Sequence, residues 1–227
     1  KDRMFDLVHE MRTRIITSPA FTSEHILAAI LFEMTMDREV EGMPTADFLW
    51  QHKGIVPFLK IDKGLEDEAN GVQLMKPMPE LDALLTKSAA LGVYGTKERS
   101  VINSANAEGI AAVVKQQFEV GKQVLAHGMM PIIEPEVNIK SPERAEADAM
   151  LRDEIVKALD AITARVLLMP GETDLYFRVA DNEAELPHLH HAELLPIASI
   201  WGHRAGNPAA NPVDAAFLKA AVRRWLD

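Results

Sequence analysis

The stretch Met129–Asn138, MMPIIEPEVN, decides the fold of this 227-residue chain. Met130, Ile132 and Ile133 make its start apolar, as in a strand buried in a sheet. Glu134 and Glu136, one proline apart, make its end acidic. Alternate side chains of an extended chain share a face, so the two carboxylates point the same way. Like charges that close raise the pKa of at least one of the two, which makes the pair a candidate proton shuttle. The plainer reading of the same spacing is a strand edge running into a solvated loop.

Working outward, other segments repeat the pattern of an apolar run closed by charge. Ile55–Ile61 ends in Lys60, Asp62 and Lys63, with Lys60 and Asp62 on one face. Val93–Ile102 carries Lys97, Arg99 and Val101 on one face and Glu98, Ser100 and Ile102 on the other. Ile26–Met34 has the composition of a strand buried on both faces, closed by Glu33. Arg165–Met169 and Leu195–Trp201 are two further candidate strands.

Helical patterns lie between them. Met4, Leu7, Val8, Met11 and Ile15 predict an amphipathic helix over 2–15. Thr45 can cap a short helix through Trp50. Pro79 opens a helix with Leu81, Leu84, Leu85 and Ser88 on one side, stopped by Gly92. Asn106 caps a long helix to His127, with Gly128 as its terminator. Ser141-Pro142-Glu143 starts a helix to about Ile162, and Val213–Leu226 is the last one. Gly64–Lys76 is polar and irregular, and Asp174–His191 carries no clear period.

Strands alternating with helices imply parallel strands joined by helical crossovers. Charged residues at the carboxyl ends of successive strands are what a (β/α)₈ TIM barrel uses for catalysis. A doubly wound open sheet shares that local signature. Against it, no strand is followed by G-x-G-x-x-G, and there is no G-x-x-x-x-G-K-[ST]. In one parallel sheet Lys60, Asp62, Lys97, Arg99, Glu134 and Glu136 meet at one end. Three cations beside paired carboxylates suit a substrate that bears phosphate and must exchange a proton. The competing reading is a ladder of structural ion pairs.

Composition bounds the rest. A chain of this length can bury one sizeable core, and a single domain over 1–227 is expected. A formal charge of −10 argues against nucleic acid as a partner. With no cysteine there is no disulfide, thiolate nucleophile or Cys-based metal site. No apolar run reaches membrane-spanning length and the N-terminus shows no signal peptide, so no membrane partner and a cytoplasmic location are expected. His188, His190 and His191 follow Pro187 and fit an exposed loop better than a metal site. Trp50, Trp201 and Trp225 are expected as packing anchors.

These residues also carry a resemblance. MRTRIITSPAF (Met11–Phe21), ILFEMTMDREVEG (Ile30–Gly42), GIVPFLKIDKGL (Gly54–Leu65), GTKERSVI (Gly95–Ile102) and PIIEPEVNI (Pro131–Ile139) resemble, in order and spacing, bacterial class I fructose-1,6-bisphosphate aldolases. The resemblance implies a (β/α)₈ barrel, incomplete in this chain because the family's first strand would precede Lys1. It implies reversible cleavage of fructose 1,6-bisphosphate to dihydroxyacetone phosphate and glyceraldehyde 3-phosphate through a lysine Schiff base, without metal or other cofactor. A phosphorylated sugar is then the substrate and a homo-oligomer the expected assembly.

Residue by residue, the resemblance makes Glu134 the general acid/base, with Glu136 setting its surroundings. Lys97 assists the carbinolamine steps, and Arg99 and Lys60 hold substrate, with Asp62 beside them. Two departures stand out. The position expected for the Schiff-base lysine holds Met169 in an ungapped alignment, and no lysine occurs between Lys157 and Lys219. The family's LSGG phosphate loop is not recognisable, with Ser199-Ile200-Trp201-Gly202 as its candidate remnant. A barrel of this type that has lost the chemistry and serves as a sugar-phosphate-binding or scaffold protein is the alternative.

Overall fold

A computed structural model describes residues 2–175, 177–206 and 211–226. They form two compact units, Lys1–Arg152 and Asp153–Asp227. The first contains α1 (Asp2–Thr17), β1 (Ala28–Phe32), a helical turn α2 (Glu33–Met36), the two-residue strands β2 (Glu39–Val40) and β3 (Met43–Pro44), α3 (Thr45–Lys53), β4 (Val56–Lys60), β5 (Val72–Gln73), α4 (Leu81–Ala90), β6 (Gly95–Ile102), α5 (Ala107–Ala126) and β7 (Met130–Val137). Helix α6 (Arg144–Leu159) leads out of it. The second unit contains β8 (Val166–Leu168), α7 (Val179–Glu185), β9 (Ala192–Leu194) and α8 (Pro212–Leu226).

Four strands of the first unit lie side by side in the order β1, β4, β6, β7, all parallel, which is the mixed α/β arrangement of a (β/α)₈ barrel. Among the described residues this sheet ends at β1 and β7, and closure into a barrel is not seen. The register is set residue against residue: Phe32 beside Lys60, Lys60 beside Lys97, Lys97 beside Ile132, Arg99 beside Glu134. β5 adds a short antiparallel pair to the carboxyl end of β6, Val72 against Ile102.

One face of the sheet is packed by helices. Leu31, Leu59, Thr96, Glu98, Ser100 and Ile102 are buried there. α4 buries Leu81, Leu84, Leu85 and Ser88, the stripe its 3.6-residue period predicts, and Gly92 turns the chain at φ 80°. α5 starts where expected: the Asn106 side chain accepts from the Gly109 N–H at 2.9 Å. It ends before Gly128, whose φ of 71° lets the chain reverse.

Several expectations are corrected. β1 is shorter than Ile26–Met34, and only Leu31 of it is buried; Ile30 and Phe32 on the other face stay about half exposed, with the Arg12 guanidinium of α1 4.8 Å from the Phe32 ring. Thr45 begins α3 without capping it; its hydroxyl donates to the Arg38 carbonyl at 2.7 Å. The stripe Met4, Leu7, Met11 and Ile15 of α1 is exposed, while Arg12 bonds Thr35 and His9 bonds the Glu39 carbonyl. Helical period defines two faces and does not say which one packs. Trp50 is exposed as well. α6 starts at Arg144, with Ser141 Oγ accepting the Glu143 N–H at 3.2 Å.

In the second unit β8 pairs with β9 in parallel, Val166 against Ala192. The last strand is therefore Ala192–Leu194 and not Leu195–Trp201, of which Ile197 alone makes a bridge, to Gly171. Trp225 packs under the Arg165 guanidinium at 4.4 Å.

Candidate active site

The register brings the charged strand ends together. Laterally paired residues of a parallel sheet project to the same face, and so do residues two apart on one strand. Lys60, Lys97, Arg99, Glu134 and Glu136 therefore share one face across β4, β6 and β7, opposite the helix-packed face. Lys60 closes β4, Arg99, Glu134 and Glu136 stand in the carboxyl halves of β6 and β7, and Lys97 is the third residue of β6, level with Lys60 and Ile132; Phe58 and Met130 lie one step below them on the same face.

Each cation finds an acid. Lys97 pairs with Glu134, one strand over and two residues along, and Arg99 Nε reaches Glu136 Oε2 at 2.7 Å in the same diagonal sense. Lys60 pairs with Asp62, which lies just past the end of β4. Lys97 and Asp62 are the shielded members, 15% and 3% exposed at the side chain, whereas Arg99 and Glu136 are about 40% exposed. Solvent screens the outer pair, and the inner pairs are the ones in which charge is costly to leave unmatched. The ends of β6 and β7 are tied by Asn138 Nδ2 donating to Asn103 Oδ1 at 2.9 Å, and Asn103 Nδ2 in turn donates to Glu68 at 2.8 Å.

Glu98 is the residue that sequence reasoning passed over. It sits between Lys97 and Arg99 but faces the helices, fully buried. Thr96 Oγ1 donates to its Oε2 at 3.1 Å, and its Oε1 has no partner. Burial pushes its carboxyl up to about 7 from the ordinary 4.5, the Thr96 hydrogen bond opposes this, the nearby Asp62 charge adds to it and Lys97 offsets it. Asp62 Oδ2 is likewise buried without a partner. The signal was present: an acid in the centre of the alternating buried set Thr96, Glu98, Ser100, Ile102.

Six of six candidate site residues thus lie in one unit, with Asp62 reaching the group through Lys60. Met169 follows directly on β8 in the second unit. Ser199 is buried there, its hydroxyl donating to Asp214 at 2.7 Å, so that hydroxyl is committed to the start of α8. His188 and His190 both reach Asp160.

Chemically, the face can hold an anion between Lys60 and Arg99 and can move a proton through Glu134 with Lys97 as its counter-charge. Comparison with known proteins identifies the family. Residues 7–168 match the family description "Fructose-bisphosphate aldolase class-I". A fructose-bisphosphate aldolase class 1 from Porphyromonas gingivalis is 57% identical over 185 residues, 80% of this chain and 63% of that protein. One from Synechocystis is 50% identical over 206 residues, 88% of this chain and 66% of that protein. The chain thus spans less than two thirds of the length of either relative. A solved fructose-bisphosphate aldolase from Plasmodium falciparum is 18% identical, covers 78% of this chain and 59% of its own, and has a TM-score of 0.48.

Proposed function

Because the chain belongs to the class I fructose-bisphosphate aldolase family, we propose that it carries the sugar-phosphate and proton-transfer half of a reversible aldol cleavage of fructose 1,6-bisphosphate. One observation supports this above the others: three cations and two acids share one face across three adjacent parallel strands. Structural ion pairs alone would not need all three strands to present charge to the same side.

In this reading Lys60 and Arg99 bind phosphate oxygens, Arg99 through its planar fork. Glu134 takes the proton from the hydroxyl beside the breaking carbon–carbon bond, and the electron pair of that bond is taken up by the iminium of the substrate's lysine Schiff base, which becomes an enamine. Lys97, shielded and beside Glu134, moves the proton that carbinolamine formation and collapse require. The products are dihydroxyacetone phosphate and glyceraldehyde 3-phosphate. The same reading takes the reaction to be metal-independent, the compartment to be cytoplasmic and the assembly to be a homo-oligomer. No helix among the described residues is long and apolar enough to cross a membrane.

A second reading has its own support. No lysine lies between Lys157 and Lys219, and in an ungapped alignment Met169 falls where the family's Schiff-base amine is expected. A chain that binds sugar phosphates without cleaving them fits that fact. Borohydride trapping separates the two: the protein is incubated with dihydroxyacetone phosphate and borohydride, then mapped by mass spectrometry. A covalent mass gain on a lysine supports the lyase. Bound fructose bisphosphate with no adduct supports the binding protein. In the lyase, Glu134→Gln lowers turnover with KM little changed, and unchanged turnover removes Glu134 from the acid/base role.

A further inference from the structure

The buried stripe of α5 runs Gly109, Ile110, Val113, Val114, Gln117, Val120, Gly121, Val124. Gln117 is the single polar member, and it is fully buried. An apolar residue would fill that stripe without the cost of burying an amide, so its bonds matter. Its Nε2 donates to Ser100 Oγ on β6 at 2.9 Å and reaches the Glu134 carbonyl on β7 at 3.5 Å. Its Oε1 accepts the Glu134 N–H at 3.3 Å. One side chain therefore touches the donor and the acceptor of the peptide groups flanking a single residue, the one that carries the proposed acid.

The clasp falls on the side of β7 that already pairs with β6. Met130 N–H donates to the Tyr94 carbonyl and Asn138 N–H to that of Ile102, so even-numbered amides of β7 face β6. Pro131 and Pro135 have the other parity, so neither removes a rung of the β6–β7 ladder; both leave the far edge poor in donors. Glu134 has the even parity, so the N–H and C=O that Gln117 touches are the ones that face β6, and the amide reinforces the β6–β7 seam at that residue.

We propose that Gln117 is a positioning residue: it clasps the Glu134 backbone from the helix layer and sets the height at which its carboxylate meets Lys97. This rests on the reading of Glu134 as the proton-transfer group. The clasp acts through the backbone, so Gln117 never touches substrate.

The test is reductive methylation of the full chain with formaldehyde and a borane, followed lysine by lysine by mass spectrometry. Gln117→Met keeps length and apolar bulk and removes all three contacts. Lys97 should then label about threefold faster or more, with Lys63 and Lys115 unchanged. Glu134→Gln should speed Lys97 similarly, and the double variant should be no faster than Glu134→Gln alone. General loosening would instead raise all the lysines and would add in the double variant. Unchanged Lys97 labelling in a folded Gln117→Met chain overturns the clasp. If that variant does not fold, Ser100→Ala removes only the β6 anchor of the amide, and a Lys97 rate equal to wild type overturns the proposal there. Turnover of fructose 1,6-bisphosphate keeps the two readings apart: full turnover in Glu134→Gln removes the acid/base role whatever Lys97 does. Turnover lost in Glu134→Gln with Lys97 labelling unmoved in Gln117→Met removes only the clasp.

Discussion

Replacing Glu98 by glutamine should make the protein more stable, and by an amount that depends on pH. Glu98 is fully buried, with one oxygen accepting from Thr96 and the other unpartnered. Its carboxyl titrates at about 7 in the folded chain against 4.5 ordinarily. A raised carboxyl favours the folded state while both states are protonated. Above pH 4.5 the unfolded chain releases its proton and the folded chain does not, so stability falls as pH rises and levels off only above about 7. At about 1.36 kcal/mol per pH unit the ceiling of this loss is about 3 kcal/mol. Glutamine has the same shape, still accepts from Thr96 and cannot ionise. Urea unfolding of Glu98→Gln and wild type at pH 5 and pH 8 should show the variant's advantage growing by about 2.5 kcal/mol between them. Parallel stability curves, with a constant gap, would refute the reasoning: Glu98 would then be ionised and satisfied by a group other than Thr96.

Three further substitutions test the packing beneath the site. Gly95→Ala places a Cβ 2.1 Å from the Met130 carbonyl oxygen and 2.6 Å from the Phe58 ring; since the first is backbone, the β6–β7 seam must open, and a loss of about 2 kcal/mol or more is expected by urea denaturation. Lys60→Met leaves Asp62, 3% exposed at its side chain, without its cation, which should cost about 3 kcal/mol by urea denaturation. Asn106→Ala removes the cap of α5 and should lower stability by about 1 kcal/mol with no effect on sugar-phosphate affinity, measured by calorimetry.

The candidate site was legible because a strand's two-residue period needs no tertiary information. The alternation in TKERSVI and PIIEPEV put Lys97 with Arg99 and Glu134 with Glu136 before any coordinates, and the β4–β6–β7 register places all four on the face that Lys60 shares. Helix ends were legible for a similar reason: Asn106, Gly92 and Gly128 act through bonds and torsions spanning three or four residues.

What failed was anything that depends on a neighbour. Ile26–Met34 looked buried on both faces, yet its apolar side chains count as core only where a second layer covers them, and Ile30 and Phe32 are left open. The α1 stripe failed the same way. Glu98 and Gln117 could be located on buried stripes by period, but their meaning came from partners 2 and 17 residues away, Thr96 and Glu134.

Taken alone, then, the order of residues determined which side chains share a face, where helices stop and which family the chain resembles, because each follows from local geometry or from matching residues in line. Only the tertiary structure decided which faces are covered, which acid each cation meets and which buried carboxyl is pushed up by burial, because burial and charge pairing are set by atoms far apart along the chain.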